Sequence, residues 1–200
     1  MLADITTKFD DNLARVRNLV ALYIDDLAGV GQGRRPVHSS DVLRAATVLL
    51  HATLEEYLRG LSRWKLPLAS EDALNGIPIV GSQRPDKSLL GRLASHRGKS
   101  VDDVIAESVD KYLERSNYNS TTEVSQLLER IGVDTSAVSH LFPTMAEIMD
   151  RRHQIVHRAD REDRPGRGFH RARSIGRRAL GRWIEAVLEF AAKVSNQLAQ

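Results

Sequence analysis

The chain has no cysteine among its 200 residues. That excludes disulfides, thiolate-held metals and a cysteine nucleophile, and it is compatible with a reducing compartment. Aromatic residues make up only 5% of a composition that is 42% hydrophobic, so any core must be built mainly of Leu, Val, Ile and Ala. No apolar run reaches membrane-spanning length. The opening stretch MLADITTKFDDN carries early acids and no signal-peptide core. The expectation is a soluble, cytoplasmic protein with no membrane partner. A complete phosphate-binding loop is missing too: HRGKS (His96–Ser100) ends in GKS, but no glycine stands five positions before Gly98 to shape the turn. GVGQG (29–33) follows a helical pattern rather than a strand, which makes it a loop and not a dinucleotide turn. Nor is there a strand–turn–helix setting for a Ser–His–Asp hydrolase.

What the chain does have is helical periodicity, clearest in TMAEIMDRRHQIVHRAD (Thr144 to Asp160). At about 100° per residue, Met145, Ile148, Met149, Ile155, Val156 and Ala159 fall within an arc of about 120°. Arg152 falls inside that arc, His153, His157 and Asp160 lie along its edge, and Arg151 and Arg158 sit on the opposite, solvated face. A buried arginine is costly unless paired, so an acid, a partner subunit or an anionic ligand must face Arg152. A histidine titrates near neutrality, and a guanidinium fork fits phosphate oxygens. Together they suffice to cleave RNA without a metal: the imidazole moves the proton of a ribose 2′-hydroxyl and the arginine holds the phosphate. Arg152 and His157 are about 140° apart on an ideal helix, so they share a site only at its rim, or if the helix loosens near His157. A plainer reading stands beside this one, with Arg152 in a structural pair and His157 an ordinary surface histidine.

Charge is unevenly placed. Arg151 to Arg182 holds eleven arginines, no lysine and three acids, a local charge of +8 in a chain whose net charge is +3. Arginine alone on an otherwise mildly acidic body points to an anionic partner. Arg151, Arg158, Arg171, Arg173, Arg177 and Arg178 are the candidate RNA contacts. The alternative is a solvated arginine-rich loop.

The remaining segments predict further helices. Ile5 to Ala28 puts Phe9, Leu13, Val16, Leu19, Val20, Tyr23, Ile24 and Leu27 on one face. A second helix begins with Ser39 or Ser40 as its cap and is apolar over most of its circumference, which makes it central. Arg44, His51, Glu55 and Arg59 form its narrow polar face, His51 and Glu55 being four apart and able to meet. Glu56 projects within the apolar face and is, by helical geometry, the in-chain partner for Arg152. Residues 66–87 are punctuated by Pro67, Gly76, Pro78, Gly81 and Pro85 and read as loops and short helices. Ser100 and Ser120 cap two more helices, Ser120 with Glu123 as a capping box and the first with an acidic opening turn. Gly132 ends the second of these, Pro143 starts the helix of Arg152, and Ser174 caps a last helix to about Leu198. The expectation is a single all-α domain over residues 1–200, an antiparallel bundle with short helices and loops, a core over about 38–198, an N-terminal helix over about 5–28, and no sheet.

RRHQIVHRAD resembles the R-x4-6-H signature of HEPN domains, with the RiboL-PSP-like branch the nearest match. LLHATLEEYLRGL (Leu49–Leu61), LNGIPIVG (Leu74–Gly81) and the stretch from Leu89 to Ser120 support the resemblance, which spans roughly residues 40 to 160. HEPN domains are all-helical, dimeric and nucleic-acid-associated, and many are metal-independent ribonucleases with one composite site built from two copies of the motif helix. The resemblance implies an endoribonuclease needing no cofactor or metal, with RNA as substrate, a homodimer, and a toxin–antitoxin, phage-defence or RNA-processing setting with a cognate antitoxin or regulator. It implies Arg152 and His157 as catalytic residues, His153 as a further polar group, and a glutamate that maps to Glu55, whereas helical geometry favours Glu56. Other functions stay open: a non-catalytic RNA- or protein-binding module, or a structural dimer. A zinc site on His153 and His157 lacks a third ligand at a suitable spacing.

Overall fold

The computed structural model describes residues 1–27, 37–82, 90–160 and 173–200, the side chains of Val37, His38 and Arg92 excepted. These residues form seven α-helices with short 3₁₀ segments and, among them, no strand. The all-α expectation holds. IPIV (77–80) forms no strand.

Helix α1 (Leu2–Leu22) ends in a π-helical turn, Tyr23–Leu27. Ile5, Phe9, Leu13, Val16 and Tyr23 are buried, whereas Ile24 is exposed, because the wider π turn rotates the last residues off the face that ideal periodicity assigns them. Helix α2 (Val37–Lys65) lies antiparallel to α1. The Phe9 and Tyr57 rings meet at 5.2 Å. Beside them a Cβ on Gly60 would stand 3.2 Å from Ile5, so the glycine lets the two helices close up. Ser39 and Ser40 lie inside α2 instead of capping it, since the helix already starts at Val37.

The central role expected of α2 is observed: it packs on α1, on α4 (Val101–Leu113), on α6 (Phe142–Arg158) and on α7 (Arg177–Leu198). The Tyr57 hydroxyl lies 3.0 Å from the Ala191 carbonyl and 2.8 Å from Ser195 Oγ, tying α2 to α7. Burial raises the Tyr57 pKa to about 12. Between α2 and α4 the described residues form two 3₁₀ segments (Leu66–Leu68 and Leu90–His96), the single-turn α3 (Glu71–Leu74) and irregular chain.

Both serine caps are present. Ser100 accepts from Asp103 N–H while Asp103 accepts from Ser100 N–H, and Ser120 and Glu123 do the same at the start of α5 (Thr121–Arg130). Gly132, at φ +78, ends α5 in a conformation that β-carbon-bearing residues resist. The last helix does not begin at Ser174. Gly176 is its N-cap, without a side-chain cap, because Ser174 belongs to an extended segment whose carbonyl is turned toward Arg151.

Candidate functional site

Helix α6 opens on Phe142, one residue earlier than expected, with Pro143 second, where its fixed φ suits the first turn and its missing N–H has no partner to lose. Met145, Ile148 and Met149 anchor its first half in the core. The buried face does not continue as the periodicity expects. Val156 is 48% exposed and Ala159 is exposed, because the second half of α6 runs past the edge of the core. The helix ends on two consecutive left-handed residues, Ala159 (φ 48) and Asp160 (φ 57). The Asp160 N–H bonds back to Gln154 O at 3.0 Å.

That reversal swings Asp160 under the helix and buries it. Its Oδ2 accepts from Arg44 Nε at 2.6 Å and from Arg151 Nη2 at 2.7 Å. Arg44 and Arg151 also donate to the Arg173 carbonyl, at 3.0 and 2.7 Å, and Arg173 N–H donates to Asp160 O at 2.7 Å. Arg151 is therefore 6% exposed and internally committed, not on a solvated face and not displayed to RNA. Burial pulls its pKa down and the Asp160 charge opposes that. Spacing missed this node because it rests on a left-handed turn and on Arg44, 116 positions before Asp160.

Arg152, next along, is half-buried, and its charge falls on His51 of α2. Among the described residues it has no ion pair or hydrogen bond. His51 is buried, with Nδ1 3.8 Å from Glu55 Oε2 and Nε2 without a hydrogen-bond partner among the described residues. Burial lowers the His51 pKa most strongly; Glu55 pulls it up, Arg152 pushes it down, and the Tyr118 backbone raises it slightly. Glu55 Oε1 accepts from Arg59 Nη2 at 3.0 Å, and the same nitrogen donates to Ser116 O at 2.9 Å. The stripe Arg44, His51, Glu55, Arg59 thus faces α6 and the 116–118 loop. Glu56, favoured by helical geometry, is instead 51% exposed and 3.8 Å from Arg63. The mostly apolar circumference of α2 made that geometric choice ambiguous, and among the described residues neither glutamate pairs with Arg152.

His153 and His157 are exposed one turn apart, with ring centroids 4.7 Å apart. The helix stays α-helical through Arg158, so it does not loosen at His157. Within one chain Arg152 points inward and His157 outward. Arg158, Arg173, Arg177 and Arg178 are exposed, Arg173 donating to Gln154 Oε1 at 3.2 Å, while Arg171 lies outside the described residues. No group of three or more His, Asp or Glu side chains that could hold a metal occurs among the described residues. None of their helices is long and apolar enough to cross a membrane.

Arg151 and Arg152 both stand at R-x4-6-H spacing before His157. Arg151 is used internally, whereas Arg152 has no ion pair among the described residues. Comparison with curated proteins and with solved structures finds no match. The family model described as RiboL-PSP-HEPN matches residues 10–200. The motif helix, its all-α setting and a match over nearly the whole sequence agree: the chain belongs to the RiboL-PSP-HEPN family.

Proposed function

We propose that the protein is a metal-independent endoribonuclease whose complete site forms between two copies of α6. The observation that carries this reading is Arg152: a half-buried guanidinium with no counter-ion among the described residues, on the helix that presents His153 and His157 to the exterior. A guanidinium held this way has the charge and geometry to take a phosphate. Its divergence from His157 argues for a second subunit. His153, Val156 and His157 share one exposed face of α6, and Val156 gives that face an apolar contact. Two such faces would set the Arg152 of each copy near the histidines of both.

In that arrangement one His157 takes the proton from the ribose 2′-hydroxyl. The 2′-oxygen attacks phosphorus, and the other His157 protonates the departing 5′-oxygen. The products are a 2′,3′-cyclic phosphate and a 5′-hydroxyl. Arg152 holds the phosphate and the charge that develops on it. His153 lies beside His157 as a second polar group, and Glu55 with His51 sets the wall against which Arg152 rests. A toxin–antitoxin, phage-defence or RNA-processing setting suits such an activity, with an antitoxin or regulator as partner.

The test is cleavage of a mixed RNA pool in excess EDTA by wild type, Arg152→Ala and His157→Ala, with mass measured in parallel. Cleavage by wild type alone, to 2′,3′-cyclic ends, with both variants still dimeric, supports the reading. Equal cleavage by all three removes it. Salt-dependent RNA binding without turnover favours a binding module.

A further inference from the structure

On the far side of the 116–118 loop from His51 lies a cleft of about 720 Å³, within the range of small-molecule sites. Arg115, Arg130 and Tyr112 line it, with the amides of Asn117 and Asn119 at the rim. Its charge is unbalanced. Arg115 is exposed and has no ion pair among the described residues. Arg130 is half-buried and meets no carboxylate among the described residues: it donates to Ala73 O at 2.6 Å and to Tyr112 Oη at 3.4 Å, its guanidinium 5.6 Å from the Tyr112 ring centre. The carboxylate in the lining, Glu123, is occupied by the Asn119 and Ser120 N–H groups at 2.9 and 3.0 Å. The cleft thus offers two uncompensated forks, an aromatic surface and amides that both donate and accept. That set matches a phosphate joined to a hydrogen-bonding planar ring.

Position supplies the second argument. Ser116, in the cleft wall, accepts from Arg59, which also holds Glu55; Tyr118, in the same wall, bears on His51 through its backbone. One loop therefore separates the cleft from the wall behind Arg152.

We propose that this cleft binds a nucleotide unit, its phosphate against Arg115 and Arg130 and its base against Tyr112. The proposal rests on the ribonuclease reading in taking that unit to be one that flanks the scissile phosphate. A free nucleoside monophosphate has the same chemistry.

Binding is measured on the His157→Ala protein, so that no RNA is cut: fluorescence anisotropy with a labelled RNA oligomer, and calorimetry with each 5′-mononucleotide. Arg115→Glu is expected to weaken RNA binding about tenfold or more. Arg63→Glu, an exposed arginine outside the cleft, is expected to change it by less than about twofold. RNA bound far more tightly than any mononucleotide identifies a strand subsite, and comparable affinities identify a free-nucleotide site. If Arg115→Ala and Arg115→Glu leave both affinities unchanged, or if Arg63→Glu weakens RNA as much, the cleft is not the site. Wild type that binds RNA through Arg115 but cuts none removes the ribonuclease reading and leaves the cleft standing. Cleavage with affinities indifferent to Arg115 does the reverse.

Discussion

Arg151 and Asp160 are nine positions apart and meet at 2.7 Å, both almost fully buried, because the chain turns left-handed at the end of α6. Arg44 reaches the same oxygen from α2. Two guanidiniums thus share one buried carboxylate, Arg44 also holding the exposed Asp41, with the Arg173 carbonyl taking a further bond from each.

That imbalance orders the effects of substitution. Asp160→Ala strands the buried Arg151, leaves Arg44 only the exposed Asp41, and should cost about 3–5 kcal/mol, the range for removing one partner of a buried pair. In a chain of this length, the melting temperature should drop by about 6–20 °C. Arg44→Ala should cost less, since Asp160 keeps Arg151 and the Asp41 left without its partner is exposed. Calorimetry on both variants checks the order; equal costs would mean that Arg151 alone does not hold Asp160 in place.

The same turn carries a local strain that is simple to relieve. Ala159 holds φ 48 with an exposed side chain. Left-handed backbone costs a residue with a β-carbon about 1–2 kcal/mol, and glycine almost nothing. Ala159→Gly should therefore raise stability by about 1 kcal/mol, read as a shift of about 2–4 °C in melting temperature.

Local chemistry was legible in the sequence where it depends on neighbours. Ser120 with Glu123, Ser100, Gly132 and Pro143 each satisfy a rule that operates within one turn, and the structure follows each. The family motif was legible as well, since it lies within one helix. Arg151 was not. Ideal periodicity puts it among solvated charges, and only the reversal at Ala159 and Asp160, with Arg44 arriving from α2, supplies the partners that bury it. A signal for this exists in the stripe Arg44, His51, Glu55 and Arg59. Four polar groups in line on an otherwise apolar central helix must face something polar.

His51 should give stability a pH dependence of definite sign. Its pKa in the folded protein lies below the ordinary value of 6.5, chiefly because the ring is buried. As pH falls below 6.5, the unfolded chain takes up a proton before the folded one does, so stability is lost with acidification. Above that value both states are neutral at this residue and the contribution is flat. Urea melts between about pH 5 and 8 should show the slope in wild type and a shallower one in His51→Leu. An unchanged slope would place the acid sensitivity elsewhere.

Glu55 and Glu56 are adjacent and should behave differently. Glu55 is 16% exposed, 3.0 Å from Arg59 and 3.8 Å from His51. Glu56 is 51% exposed, and its partner Arg63 lies 3.8 Å away and is itself 50% exposed. Removing the Glu55 charge frees Arg59, which also holds Ser116, and leaves His51 and Arg152 beside each other without an acid to balance them. Glu55→Gln should therefore lower RNA cleavage on the order of 10- to 100-fold by displacing Arg152, an effect of positioning rather than of contact with substrate. A protonated His51 repels Arg152, and His51 loses the neighbour that raises its pKa, so the acid limb of the pH–rate profile should move to lower pH, which a merely structural loss would not do. Glu56→Gln removes only an exposed ion pair, with at most about 1 kcal/mol at stake, and should leave rate and profile unchanged. Cleavage assays across pH on the two variants decide between them: equal losses would show that the polar stripe of α2 does not govern where Arg152 sits.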